Sequence, residues 1–165
     1  MNAELSDALI MILVTRMDSA VTGDRLVEWA MAALEEDLES PALVWLAGLP
    51  RSCSLWEAGP LLDRALSELA VTPLPDATEL RRAYVGAMSR QLLSQRVSVS
   101  VALDRIHKFA VSPLNHPHDL TSWCFAWEGL DDSREYLTMT DKETDERARE
   151  LATAWAAAKH WPSNV

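Results

Sequence analysis

Glycine is scarce in this chain, with five residues among 165, and cysteine is scarcer still, with two. Five scattered glycines cannot build a phosphate-cradling loop or a Rossmann fingerprint, and the sequence holds no GxSxG or HExxH string. No cofactor is therefore expected. The two cysteines, Cys53 and Cys124, are too few for a disulfide framework and belong to no CxxC or CxxH pair, which points to a reducing, cytoplasmic setting. Long apolar runs are missing too. The stretch from Ala8 to Val14 falls far short of the roughly 18 residues that argue for a membrane span. The acidic start MNAELSD also lacks the basic lead of a secretory signal, so no membrane partner is expected.

Apolar residues make up 48% of the chain and charged residues 24%, a mixture that folds and that excludes the low-hydrophobicity signature of disorder. Ala, Leu and Glu abound while β-branched runs are rare, so local propensity favours helix nearly everywhere. The reading is an all-α chain: a single domain over 1–165, built as a bundle or short array of seven to eight antiparallel helices.

Start signals and periodicity place the helices. The first, roughly Ala3 to Met17, is apolar nearly all round, which marks a helix buried on most sides or, alternatively, a central strand. Thr22 is positioned to cap the second, whose Leu26, Trp29, Ala30, Ala33, Leu34 and Leu38 form one apolar face. Ser40-Pro41 opens a short third helix, with Gly48 expected as its left-handed stop. Ser54 with Glu57, Asp76 with Glu79, and Thr140 with Glu143 fit capping-box spacing. Pro60 is expected to delay the first of these helices by a turn. Asp119 reads as the cap of a helix beginning at Leu120.

The stretch Ser40-Pro41-Ala42-Leu43-Val44-Trp45-Leu46-Ala47-Gly48-Leu49, followed after a gap by Glu68-Leu69-Ala70-Val71, resembles small uncharacterised all-helical bacterial proteins of immunity or accessory type. The resemblance implies a helical bacterial accessory protein and carries no activity with it.

The charge distribution is uneven. Residues 1–80 hold 14 Asp or Glu against 4 Lys or Arg, whereas residues 81–165 hold 11 of each, so the whole net charge of −10 lies in the first half. Glu35, Glu36, Asp37 and Glu39 crowd the C-terminal end of the second helix, where the helix dipole is already negative. A local rule broken without compensation marks a candidate contact surface, with a solvated face kept for solubility as the plain alternative. Arg81, Arg82, Arg90, Arg96, Arg105 and Lys108, opposed within residues 81–108 by Asp104 alone, suggest pairing with the acidic half, within one molecule or across a homo-oligomer. A nucleic-acid groove is disfavoured, because the overall negative charge opposes phosphate and the strip lacks interleaved aromatics.

Three further groups hold candidate chemistry. His116 and His118 with Cys124 have zinc-binding residue types, but a fourth ligand must come from Cys53, His107 or a distant carboxylate. Asp104, His107 and Lys108 are spaced for a carboxylate-oriented base or, more simply, for a helix-surface ion pair. Among seven tryptophans, Trp29, Trp123, Trp127 and Trp155 fall on apolar stripes and read as core. Trp45, Trp56 and Trp161 lie off those stripes, where they either cover the edge of the core or anchor an interface.

The sequence thus points to an acidic protein-binding module of adaptor or immunity type, acting by stoichiometric binding to another protein with a basic surface. Its contact residues are read as Glu35, Glu36, Asp37, Glu39, Trp45, Arg51 and Trp56. The alternatives are a helical enzyme or a metal- or ligand-binding protein using His107, His116 or His118, and a structural homo-oligomer.

Overall fold

Eight α-helices and no strand make up the regular structure of the described residues in this computed structural model, which covers 1–129 and 140–157. Contacts gather these residues into two compact units, one from Met1 to Asp76 and one beginning at Ala77.

The first unit holds α1 (Ala3–Met17), α2 (Gly23–Glu35), α3 (Pro41–Ala47) and α4 (Leu55–Glu68). The apolar run of α1 is helical, opened by the Asn2 side chain on Leu5 N–H, and Leu5, Leu9, Ile10, Ile12, Leu13 and Val14 are all buried. Trp29 ties α2 to α1 by donating its indole N–H to the Leu5 carbonyl at 3.2 Å. Arg16 of α1 grips both carboxylate oxygens of Asp63 on α4 at 2.6 and 2.8 Å. Being half exposed, that pair contributes at most about 1 kcal/mol.

Gly23 is required where α2 begins. A Cβ built there would lie 2.1 Å from the Cys53 carbonyl oxygen and 2.8 Å from its sulfur. Thr22 occupies the N-cap position without making a side-chain cap bond. Its hydroxyl lies near Asp24 and helps hold that carboxyl below its ordinary range.

Helix α4 starts at Leu55 with the Ser54–Glu57 capping box intact and runs straight through Pro60. The expected delay does not occur, and the neighbouring residue gives the reason. A proline disfavours helical backbone in the residue before it largely by clashing with that residue's Cβ, and here that residue is Gly59.

Several helices end on left-handed residues, none of them glycine: Ser19, Asp37, Ala70 and Gln95 have φ between 54° and 60°. Gly48, expected to be the left-handed stop of α3, has φ −80°. At the end of α2, Asp37 N–H bonds to Leu34 O and Leu38 N–H to Ala33 O, both at 3.1 Å, which is the Schellman pattern with aspartate in the glycine position.

The second unit holds α5 (Ala77–Leu93), α6 (Val99–Ile106), α7 (Thr121–Glu128) and α8 (Asp141–Ala156). Helix α5 packs against α6 and α8 and buries Leu80, Tyr84, Val85, Ala87, Met88 and Leu92. Arg90 of α5 donates to the Ala156 carbonyl at the end of α8. Helix α8 opens with the expected Thr140–Glu143 box. Helix α6 passes directly into a π turn, His107–Val111, where Ser112 N–H bonds to His107 O at 2.9 Å. Buried Arg81 fastens this turn to α5 through the Phe109 carbonyl at 2.6 Å.

Asp119 does not cap α7. It sits in a 3-10 turn, His118–Leu120, and accepts from Arg82 at 2.7 Å, which lowers its pKa, while Leu120 takes the cap position with no side-chain bond. A cation on α5 has outcompeted the local backbone for that carboxylate.

Candidate functional site

The acidic end of α2 turns sharply at left-handed Asp37 and leads within three residues into α3. That turn leaves an open groove lined by Leu34, Asp37, Leu38, Glu39, Ser40, Pro41 and Val44. Its lining is mostly apolar, and Asp37 and Glu39 supply the charge. Leu34 and Leu38 continue the apolar stripe of α2 past its buried residues, so part of that stripe faces the groove and not the core.

A three-way hydrogen-bond node holds the α3 side of the groove. Ser40 accepts from Leu43 N–H as the N-cap, and its hydroxyl donates to Glu68 of α4 at 2.6 Å. The same carboxylate accepts from Ala42 N–H at 3.0 Å and from Arg64 at 2.7 Å. These donors, with Ser40 first, pull the Glu68 pKa from 4.5 down to about 2. In the sequence Glu68 opens the Glu68-Leu69-Ala70-Val71 stretch, with nothing to show that it reaches Ser40. Its position at the start of α3, where a negative charge is favoured, comes from the packing of α4.

Of the seven residues expected to form a contact surface, Asp37 and Glu39 line the groove. Glu35, Glu36, Trp45, Arg51 and Trp56 are exposed but do not line it. Trp45 and Trp56 do not cover the edge of the core, because they are 71% and 91% exposed. Val44, 59% exposed, joins them as an apolar side chain facing water. Helix α3 is apolar at every position, so nothing in its pattern distinguishes the buried Ala42, Leu43 and Leu46 from the exposed Val44 and Trp45. Trp29 and Trp123 are core, as expected, whereas Trp127 and Trp155 are half-buried. Trp161 lies outside the described residues.

The basic residues of 81–108 include several engaged within their own unit. Arg81 is buried on the Phe109 carbonyl, Arg82 pairs with Asp119 and Arg90 holds the end of α8. Lys108, spaced to pair with Asp104, places its ammonium 5.1 Å from the centre of the Phe109 ring.

The histidines are rearranged relative to expectation. His107, not His118, joins His116 and Cys124, and the candidate ligand atoms of these three all lie within 4.8 Å of one another. His107 enters from the π turn with its ring stacked on Trp127, at 3.7 Å between centroids and 4° between planes. His116 is brought back by a left-handed pair, Asn115 and His116 with φ of 56° and 53°, and by its N–H bond to Val111 O at 3.0 Å. Its Nδ1 lies 3.5 Å from Cys124 Sγ, and the Glu128 carboxylate, one turn further along α7, lies 3.8 Å from the same sulfur. The i,i+4 spacing of Cys124 and Glu128 was present in the sequence, but the approach of His107 depends on tertiary packing. Cys53, the other sulfur considered, is buried beside Gly23 in the first unit, and burial pushes its thiol pKa up.

Among the described residues no helix is long and apolar enough to cross a membrane. No protein-family model, curated protein or solved structure matches the chain.

Proposed function

We propose that the chain is a protein-binding module of adaptor or immunity type, acting by stoichiometric capture of a basic segment on another protein. The observation that carries this reading is the shallow, open groove at the α2–α3 turn, whose lining combines Leu34, Leu38, Pro41 and Val44 with Asp37 and Glu39. Such a surface suits a lysine- or arginine-bearing segment that also presents an apolar side chain. Burial of the apolar part supplies affinity, and the carboxylates supply orientation and a salt-dependent approach.

Two further features support it. Trp45 and Trp56 are large aromatic side chains left in water on the same unit, the residue type that most often anchors an interface. Asp37 holds a left-handed backbone next to Glu35 and Glu36 at a negative helix end, an arrangement that stability alone would remove by substitution to glycine. The chain's excess negative charge, concentrated in residues 1–80, favours a basic partner over a nucleic acid.

The test uses the purified chain as bait in lysate of its source cells at low salt, beside an Asp37→Lys/Glu39→Lys variant checked for native helicity. Stoichiometric retention of a basic protein by the wild type, lost in the variant and on raising salt, is the expected result. Equal retention by both proteins, or no stoichiometric partner for either, would overturn the proposal.

A further inference from the structure

We infer that His107, His116 and Cys124 form a three-ligand binding site for a borderline-soft divalent metal ion, with zinc best matched to the ligand set. Two imidazoles and a thiolate are common zinc ligands that leave a fourth position open, and their combination does not suit calcium or magnesium, which take oxygen ligands.

The geometry fits before any metal is considered. Zinc bonds of about 2.0–2.1 Å to nitrogen and about 2.3 Å to sulfur, at a tetrahedral angle, place the two ligand atoms about 3.6 Å apart. His116 Nδ1 and Cys124 Sγ are 3.5 Å apart, and Glu128 Oε1 is 3.8 Å from that sulfur. The mutual 4.8 Å limit on the His107, His116 and Cys124 ligand atoms leaves only a small inward adjustment for a shared ion.

The surroundings hold these side chains in place. The His107 ring is fixed in plane by its stack on Trp127, which lies on α7 between Cys124 and Glu128. The backbone carrying His107 is a π turn, a rare element that recurs at functional sites, and Arg81 clamps it from α5. The backbone carrying His116 is a consecutive pair of non-glycine left-handed residues, and strain of this kind persists where the surrounding structure demands it. A thiol–imidazole hydrogen bond alone would account for the 3.5 Å contact. It would not account for the approach of His107, carried on a different element, to the same cluster.

Binding would displace the Cys124 thiol proton to solvent and cross-link the π turn, the loop before α7 and α7 itself. The site lies within the second unit and does not depend on the protein-binding reading of the first.

The test uses untagged full-length protein stripped with a chelator, then titrated with cobalt(II) as a spectroscopic probe and with zinc in competition. The expected result is one equivalent of cobalt giving tetrahedral d–d absorption and a thiolate-to-metal charge-transfer band, displaced by zinc. Cys124→Ser should abolish the charge-transfer band, and His116→Ala, which removes a ligand itself, should weaken binding by more than the roughly 10–100-fold lost with an outer-shell partner. His118→Ala and Cys53→Ser should leave both unchanged. His116 is exposed but left-handed, so its variant is checked for native helicity before its metal binding is read. Failure of the wild type to bind cobalt or zinc, or binding unaltered by Cys124→Ser and His116→Ala in folded protein, would overturn the site.

Discussion

Ser40→Ala removes one oxygen and strikes both sides of the groove-forming turn. Buried Ser40 is the N-cap of α3 through Leu43 N–H, and its hydroxyl also donates to Glu68 at 2.6 Å. Loss of an N-cap typically costs about 1 kcal/mol and up to about 2, and the second bond places this residue at the upper end, so a loss of about 2 kcal/mol is expected. Urea unfolding followed by far-ultraviolet circular dichroism measures it, as a lower midpoint with unchanged slope. The same substitution should alter acid stability. With Ser40 present the folded pKa of Glu68 is about 2 against an ordinary 4.5. A depressed carboxylate contributes stability that is complete above the ordinary pKa and is lost as pH falls through the folded one, here between about pH 4.5 and pH 2. Removing the largest cause of the depression raises the folded pKa and narrows that window from below. A variant that unfolds at the wild-type urea midpoint, and whose Glu68 titrates as in the wild type, would refute this account of the node.

Ala70 holds φ 56° at the end of α4, so Ala70→Gly should relieve left-handed strain and stabilise by about 1 kcal/mol in the same urea assay. Gly23→Ala should destabilise by about 3 kcal/mol, since the new Cβ meets backbone at the Cys53 carbonyl that cannot swing aside as a side chain would. Trp56→Ala, at a side chain 91% exposed, should change the unfolding free energy by less than about 0.5 kcal/mol while weakening capture of the partner in the pull-down.

The legible parts of the fold were those set by neighbours in sequence. The boxes at Ser54–Glu57 and Thr140–Glu143, the Ser40-Pro41 start of α3 and the buried run of α1 follow from spacing alone, and the structure bears them out. Where a distant residue competed, the local reading failed. Arg82 took Asp119 from the cap of α7; separately, Gly48 ends α3 without the expected left-handed backbone, while Asp37 takes that backbone at the end of α2 with no glycine to announce it. At Pro60 the helix continues, and Gly59 before it carries no Cβ to clash with the proline ring.

The candidate sites were legible in part for the same reason. The acidic cluster was visible as a violation of the helix-dipole rule, and its four carboxylates are exposed, as both a contact surface and a solvated face require. The groove beside it depends on how α3 leaves the turn, and the exposure of Val44 and Trp45 depends on which face of an all-apolar, seven-residue helix the unit covers. Cys124 and His116 were paired from their types and proximity in sequence. Substituting His107 for His118 required the π turn, which shifts the helical register and has no residue signature in this stretch.

The most direct measurement of the central claim is chemical-shift mapping of the isotope-labelled chain as the captured basic partner, or its binding segment, is added at low salt. The account expects the largest perturbations to run from Leu34 to Val44 and to disappear as salt is raised. Perturbations confined to α5–α8, or none along the α2–α3 turn, would contradict it.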